Sequence, residues 1–423
     1  MTVRLEPEEE AILAGAEGPA ARKALEIVLT LGRIYGAERL VPVASVQVAG
    51  VSYRNLGDAG LEFLRDWAEQ GARVRVPTTL NPAGMDLDAW GEMGIPEAFA
   101  RRQGEVIAAY VRMGIAPTCT CTPYLVGNVP AYGEHIAWSE SSAVCYANAV
   151  LGARTNREGG PSALAAAVCG RTAAYGLHLE EGRRATHRIR VTCPVREPWE
   201  YAALGFWVGG RVGGGVPYFE GLDLPPVTAA SVAGEPALSS PTHDALKLMG
   251  AALASSGAVG LYHVAGCTPE ARIRNDLLPP SVQEVVVDSL EPAVAALNAS
   301  VETIDLVVIG CPHASLGEVR AVAERLRGRR LAADLWLTVA RGVRERAVAE
   351  GLVETIEAAG GRVVADGCVV VAPMRDLPYR TLATNSAKMA SYALPHAGLR
   401  VRFGPLEACI EAGIRGRWET VVH

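Results

Sequence analysis

The stretch from residue 284 to residue 365 restricts the fold more than any other part of this chain. Strand-patterned segments at 284–287, 305–309, 335–339 and 362–365 alternate with helix-patterned segments at 291–299, 316–327 and 343–359. Alternation at this spacing is the signature of a βαβ series. The run Ile304-Asp305-Leu306-Val307-Val308-Ile309 is apolar almost throughout, as a strand covered on both faces of a parallel sheet has to be. Ligands of open α/β sheets collect beyond the carboxyl ends of such strands. Cys311 lies just past this one.

Upstream the same alternation continues. Residues 19–37 read as an amphipathic helix, 39–43 as a strand, 57–70 as a helix with Leu61, Leu64 and Ala68 on one stripe, 73–76 as a strand and 97–113 as a helix. The chain is therefore expected to be α/β with mostly parallel sheets. At 423 residues it is too long for one small core. We expect an N-terminal α/β region over 1–283, with room for two subdomains, and a C-terminal α/β lobe over 284–423. The boundary falls near Leu277-Leu278-Pro279-Pro280. Gly209 to Gly215 reads as a flexible turn, because it has neither the Gly-Lys-Ser/Thr of a phosphate loop nor a Rossmann context.

Nine cysteines, an odd number with no disulfide-like spacing, fit a reducing cytoplasm. The opening MTVRLEPEEE lacks the apolar stretch of a signal peptide. No apolar run approaches the roughly 20 residues of a membrane helix. Net charge is −6 with no basic stripe, which argues against nucleic-acid binding. Only Lys23, Lys247 and Lys388 are lysines, so each is worth locating.

Cys121, Cys311 and Cys368 each fall where a strand-like run gives way to a loop, and they are far apart in sequence. Separate segments delivering thiols to one crevice is how a fold builds a metal or iron–sulfur centre. Cys119, Cys145, Cys169, Cys193, Cys267 and Cys409 are read as ordinary core thiols.

Four polar segments stand beside them. Gln47 to Tyr53 offers Gly50, Val51 and Ser52 as a turn able to cradle a carboxylate or phosphate. Thr78 to Gly84 offers Asn81 and Pro82 directly after a strand. Trp138 to Ser142 opens a helix, with Ser139 as its expected cap and Glu140 and Ser141 as groups able to handle protons. The loop from Gly152 to Gly160 follows, with guanidinium groups at Arg154 and Arg157 suited to anions. Lys388, at a helix start within Thr384 to Lys388, suits a phosphate or carboxylate. Each segment also has an ordinary structural reading as a turn, a cap or a solvated surface.

Taken together, SVQVAGVSYRNLGDAG, TTLNPAG, TCTPY, HIAWSESSAVCYANAVLGARTNREGGPSALAAA, YGLHL, GCPH, GCVVVAP and TNSAKMASY resemble the blocks of the aconitase X family, in the family's order and along nearly the whole chain. The resemblance implies an aconitase-like multi-lobe α/β/α architecture lacking the swivel domain, and a hydro-lyase acting on a small hydroxy acid. It implies an iron–sulfur cluster on Cys121, Cys311 and Cys368, 4Fe–4S ahead of 2Fe–2S or mononuclear iron. Gly50, Val51, Ser52, Asn81, Pro82 and Lys388 are implied to bind substrate, and Glu140 and Ser141 to orient it or relay protons. A separate small swivel-domain subunit is implied as partner, and by analogy with aconitase it would bring a serine base. Two family substrates compete. HIAWSESSAV and VSYRNLGDAG look closer to the 5-phosphomevalonate branch, within mevalonate and isoprenoid metabolism, than to the cis-3-hydroxy-L-proline branch.

Two rival readings differ in class. A non-catalytic scaffold subunit would have no use for three thiols converging on a cleft. A cysteine hydrolase using Cys311 with His313 would need a thiolate and base in line, which two residues joined through one proline hold poorly.

Overall fold

The computed structural model describes residues 3–419. Three parallel sheets organise it, with one small antiparallel pair, Leu40–Pro42 against Arg171–Ala173. The first sheet is three-stranded, with Val46–Val48 in the middle between Thr78–Leu80 and Ala137–Trp138. Its helices include Tyr53–Glu69, Glu97–Arg112 and Gly160–Cys169. The second sheet runs in the order His263–Val264, Pro217–Glu220, His187–Val191, Gln283–Val287. The third has five strands, Arg362–Ala365, Asp334–Val339, Leu306–Ala314, Thr381–Thr384 and Arg400–Phe403, all parallel. The central strand Leu306–Ala314 is buried along its whole length, as its apolar run requires.

The α/β class with mostly parallel pairing holds, and four local expectations are corrected. The strand expected at 284–287 belongs to the second sheet, paired with His187–Val191, and not to the C-terminal series. Periodicity gives a strand its faces but not its neighbour, and consecutive elements are adjacent only about two times in three. Residues 73–76 alternate in exposure, yet Val74 and Arg75 bond separately to Met113 and Ala167. The ladder is made instead by the buried Thr78–Leu80. The helix expected over 343–359 is two, Arg341–Ala349 and Leu352–Ala358, broken at Gly351 with φ of 69°.

The fourth concerns the glycine-rich turn, which is a turn only from Gly213 on. Gly209 lies inside the helix Pro198–Val212, against the helix Pro241–Gly257. A Cβ at Gly209 would sit 2.1 Å from Ser256 Oγ and 2.9 Å from the Leu253 carbonyl. The missing side chain is what lets the two helices touch, and that contact outweighs the poor helix propensity of glycine.

Among the described residues no helix is long and apolar enough to cross a membrane.

Candidate active site

The first and third sheets aim their carboxyl ends at one cavity of about 250 Å³. From the first sheet come Gly50 after Val46–Val48, Asn81 and Pro82 after Thr78–Leu80, and Glu140 and Ser141 after Ala137–Trp138. The third contributes Cys311 within Leu306–Ala314, Cys368 after Arg362–Ala365 and Lys388 after Thr381–Thr384. Cys121 joins them from a loop, not from a strand end as expected, held by a bond from Gln47 Nε2 to the Thr120 carbonyl at 2.7 Å. The crevice rule for parallel sheets thus operates twice, from opposite walls.

At the centre is an ion pair. Lys388 Nζ lies 2.5 Å from Glu140 Oε1, with side chains only 10% and 13% exposed. Asn81 Nδ2 donates to Glu140 Oε2 at 2.8 Å, and Ser142 Oγ donates to Glu140 Oε1 at 3.0 Å. Ser141 Oγ stands at 3.5 Å from the same oxygen. Burial pushes the Glu140 carboxyl up, but the Lys388 ammonium and the bonds from Lys388, Asn81 and Ser142 together hold it down at about 2. At neutral pH Glu140 is a carboxylate, with no proton to give. It is also the cap of the helix Ser141–Tyr146, a role the sequence had suggested for Ser139. Ser139 N–H instead continues the strand ladder to Gln47.

The three thiols share the influence of that lysine. Burial raises Cys121, Cys311 and Cys368, Cys311 to about 12, while the Lys388 charge pulls each of them back. Cys121 Sγ accepts the His313 backbone N–H at 3.1 Å. Among the described residues no three His, Cys, Asp or Glu side chains close around a point as a single ion would require. The thiols are set around a cavity instead.

Val51 and Ser52 do not line the cavity. Val51 is buried in the core, and Ser52 Oγ is committed to the Val371 carbonyl at 2.8 Å and to the cap of Tyr53–Glu69. Ser52 supports the wall formed by residues 369–371, and the Val51 carbonyl accepts from Gln103 Nε2 at 2.8 Å. Arg154, one of the two candidate guanidinium groups, is engaged with Glu180 and the His178 carbonyl. Arg157, the other, lines the cavity, exposed and with no ion-pair partner among the described residues. The polar loop had signalled it, without placing it in the site. Thr338 also lines the wall and carried no sequence signal, while Tyr392 lines it at the end of the TNSAKMASY block.

Family comparison matches the chain in three consecutive pieces: the aconitase X first domain over residues 2–181, the second over 185–293 and the third over 304–415. The chain belongs to the aconitase X family. Among aconitase X relatives, the phosphomevalonate dehydratase large subunit of Methanothermobacter thermautotrophicus is 50% identical over 94% of this chain and 95% of its own length. That of Methanocaldococcus jannaschii is 44% identical over 96% and 99%. The cis-3-hydroxy-L-proline dehydratase of Pseudomonas aeruginosa is 38% identical, over 98% of this chain and 70% of its own length. The crystal structure of Thermococcus kodakaraensis aconitase X in its holo-form superposes with a TM-score of 0.86 at 45% identity, covering 97% of this chain and 100% of that one.

Proposed function

We propose that this chain is the catalytic large subunit of a dehydratase that removes water from 5-phosphomevalonate in mevalonate metabolism. The observation that carries the reading is the like-for-like match, over nearly the whole of both chains, to phosphomevalonate dehydratase large subunits. Hydroxyproline dehydratases are less similar and extend beyond the matched region. The name "large subunit" borne by those relatives supports a separate small partner, taken here to be the swivel domain that brings the base.

Cys121, Cys311 and Cys368 would hold an iron–sulfur cluster. Three otherwise unused thiols around a void, Cys121 and Cys311 buried and Cys368 half-buried, one already accepting a backbone N–H and all facing a lysine that favours their ionised form, fit such a group. Their spread supports a multinuclear cluster over a lone iron. When bound, a cluster of this kind supplies Lewis acidity toward a hydroxyl leaving group.

The remaining roles fall to this chain's own side chains. Asn81 is fixed by Glu140, and its Oδ1 is buried with no protein partner, which leaves an acceptor for a substrate hydroxyl. Glu140 and Ser141 orient the substrate, while the ionised Glu140 keeps Lys388 in place. Arg157 at the wall offers a free, planar cation to the phosphate. Lys388, already neutralised by Glu140, serves the substrate less directly than its sequence position suggested.

The test is anaerobic copurification with the small subunit from the same source, followed by assay of both substrates. Turnover of 5-phosphomevalonate by the complex, and by neither chain alone, is expected. Turnover of cis-3-hydroxy-L-proline alone would overturn the substrate, and full activity of the single chain would overturn the need for a partner.

A further inference from the structure

The three cysteine-bearing segments meet at one buried side chain. His313 is 1% exposed, lies on the Cys311 strand and bonds to the other two segments. Its Nδ1 lies 2.9 Å from Thr120 Oγ1, next to Cys121. Its Nε2 lies 2.9 Å from the Gly367 carbonyl, next to Cys368. Along its own strand it follows Cys311 by one proline, and its backbone N–H donates to Cys121 Sγ at 3.1 Å. The His313 carbonyl in turn accepts from Lys247 Nζ at 3.4 Å, a lysine buried between Asp244 and Glu318.

The proton positions follow from the partners. A carbonyl only accepts, so Nε2 carries the ring proton and Nδ1 is the acceptor, taking the Thr120 hydroxyl proton. Thr120 Oγ1 is then free to accept from the Thr122 backbone N–H at 3.1 Å. Donor and acceptor match at each of these contacts, and the ring has no capacity left for a substrate.

We infer that His313 is the positioning residue of the cluster site: a neutral imidazole that pins the Cys121, Cys311 and Cys368 segments in register before any cofactor arrives. The inference rests on the proposed ligand set. It explains why a histidine on the cavity lining has both ring nitrogens engaged by protein groups and none free for catalysis.

The test compares His313→Gln, which keeps an amide donor for Gly367 but loses the ring's two-sided reach, with Thr120→Val, their double variant, and a core variant, Leu326→Ala, as a control for destabilisation alone. Each is purified in complex and reconstituted. His313→Gln is expected to surrender iron to a chelator roughly ten- to hundredfold faster than wild type, the usual penalty for losing a group that orients metal ligands. Its reduced-cluster EPR spectrum is expected to shift. Thr120→Val should move the same way by less, and the double variant should lose no more than His313→Gln, because one bond is shared. Leu326→Ala should leave the spectrum unchanged. In the metal-free protein, His313→Gln should speed alkylation of Cys121 and Cys368 by about five- to tenfold over Leu326→Ala. Wild-type iron retention and spectrum in His313→Gln would overturn the inference. If wild type takes up no cluster, the cofactor proposal fails by itself, and unchanged alkylation in His313→Gln would then overturn the positioning role as well.

Discussion

Replacing Lys388 with Met keeps much of the side-chain volume and removes the charge that neutralises Glu140. Glu140 sits at about 2 in the folded chain, roughly two pH units below an ordinary glutamate, and at about 1.4 kcal/mol per unit the environment favours its charged form by on the order of 3 kcal/mol. Without Lys388 the burial of the carboxylate is opposed only by Asn81 and Ser142. Breaking a buried pair from one side costs about 3–5 kcal/mol, in line with that figure. At about 2.1 cal/mol/K per residue, a chain of this length melting as one unit would lose about 3–4 °C. The sign in pH follows from the depressed carboxyl. In wild type the pair's contribution is complete above the ordinary glutamate range and fades as pH falls toward 2, whereas the variant can relieve its stranded charge by protonation. The gap in melting temperature between wild type and Lys388→Met should therefore be widest near pH 7 and narrow toward pH 4. Adding Glu140→Gln removes the stranded charge and should recover most of the lost stability without recovering turnover. Differential scanning calorimetry across that pH range decides the matter. A double variant no more stable than Lys388→Met, or a single variant as stable as wild type at pH 7, would refute the account.

Arg157→Ala should raise KM for 5-phosphomevalonate by about ten- to hundredfold, the loss of a charge-assisted contact, with melting temperature unchanged because the guanidinium is exposed and unpaired; steady-state kinetics and a thermal melt check both halves. Serine in place of Cys121, Cys311 or Cys368 should each abolish bound iron and sulfide, while Cys119→Ser should keep them, measured by iron and sulfide content per chain. Gly310→Ala should disturb the Cys311 wall, since φ is 97° there and a Cβ would meet the Thr338 carbonyl at 2.2 Å; iron retention after reconstitution should fall well below that of wild type, with a lower melting temperature.

The βαβ alternation after residue 300 was legible because buried strands in a parallel sheet leave an unbroken apolar run, and Leu306–Ala314 is one. Cys311 and Cys368 were singled out because they follow strand-patterned runs, whereas Glu140 and Lys388 were noticed as polar groups at helix starts and Asn81 as a turn residue. Pairings between distant segments were not legible. The sheet that Gln283–Val287 joins is decided by His187–Val191, far upstream. Gly209 reads as a turn until a second helix is laid against it. His313 entered the sequence reading only through a rejected pairing with Cys311, because adjacency in sequence says nothing about which way a ring points. Its partners at Thr120 and Gly367 exist only once three loops have converged. Val51 and Ser52 shared a block with Gly50, yet only Gly50 reaches the cavity wall, because Ser52 already serves as a helix cap.

The proposed ligands come from the first and third family domains, Cys121 early in the chain and Cys368 near its end. The ligand set would therefore be complete only once residues of both the first and the third domain had been made. Cofactor loading on such a scaffold would be a step taken by a chain whose first and third domains have already folded together. A bound cluster would also act as a tie between distant parts of the chain, restricting the unfolded ensemble as a crosslink across a long loop does. Oxidative stripping of the metal would then cost the enzyme its chemistry and its resistance to unfolding in the same event.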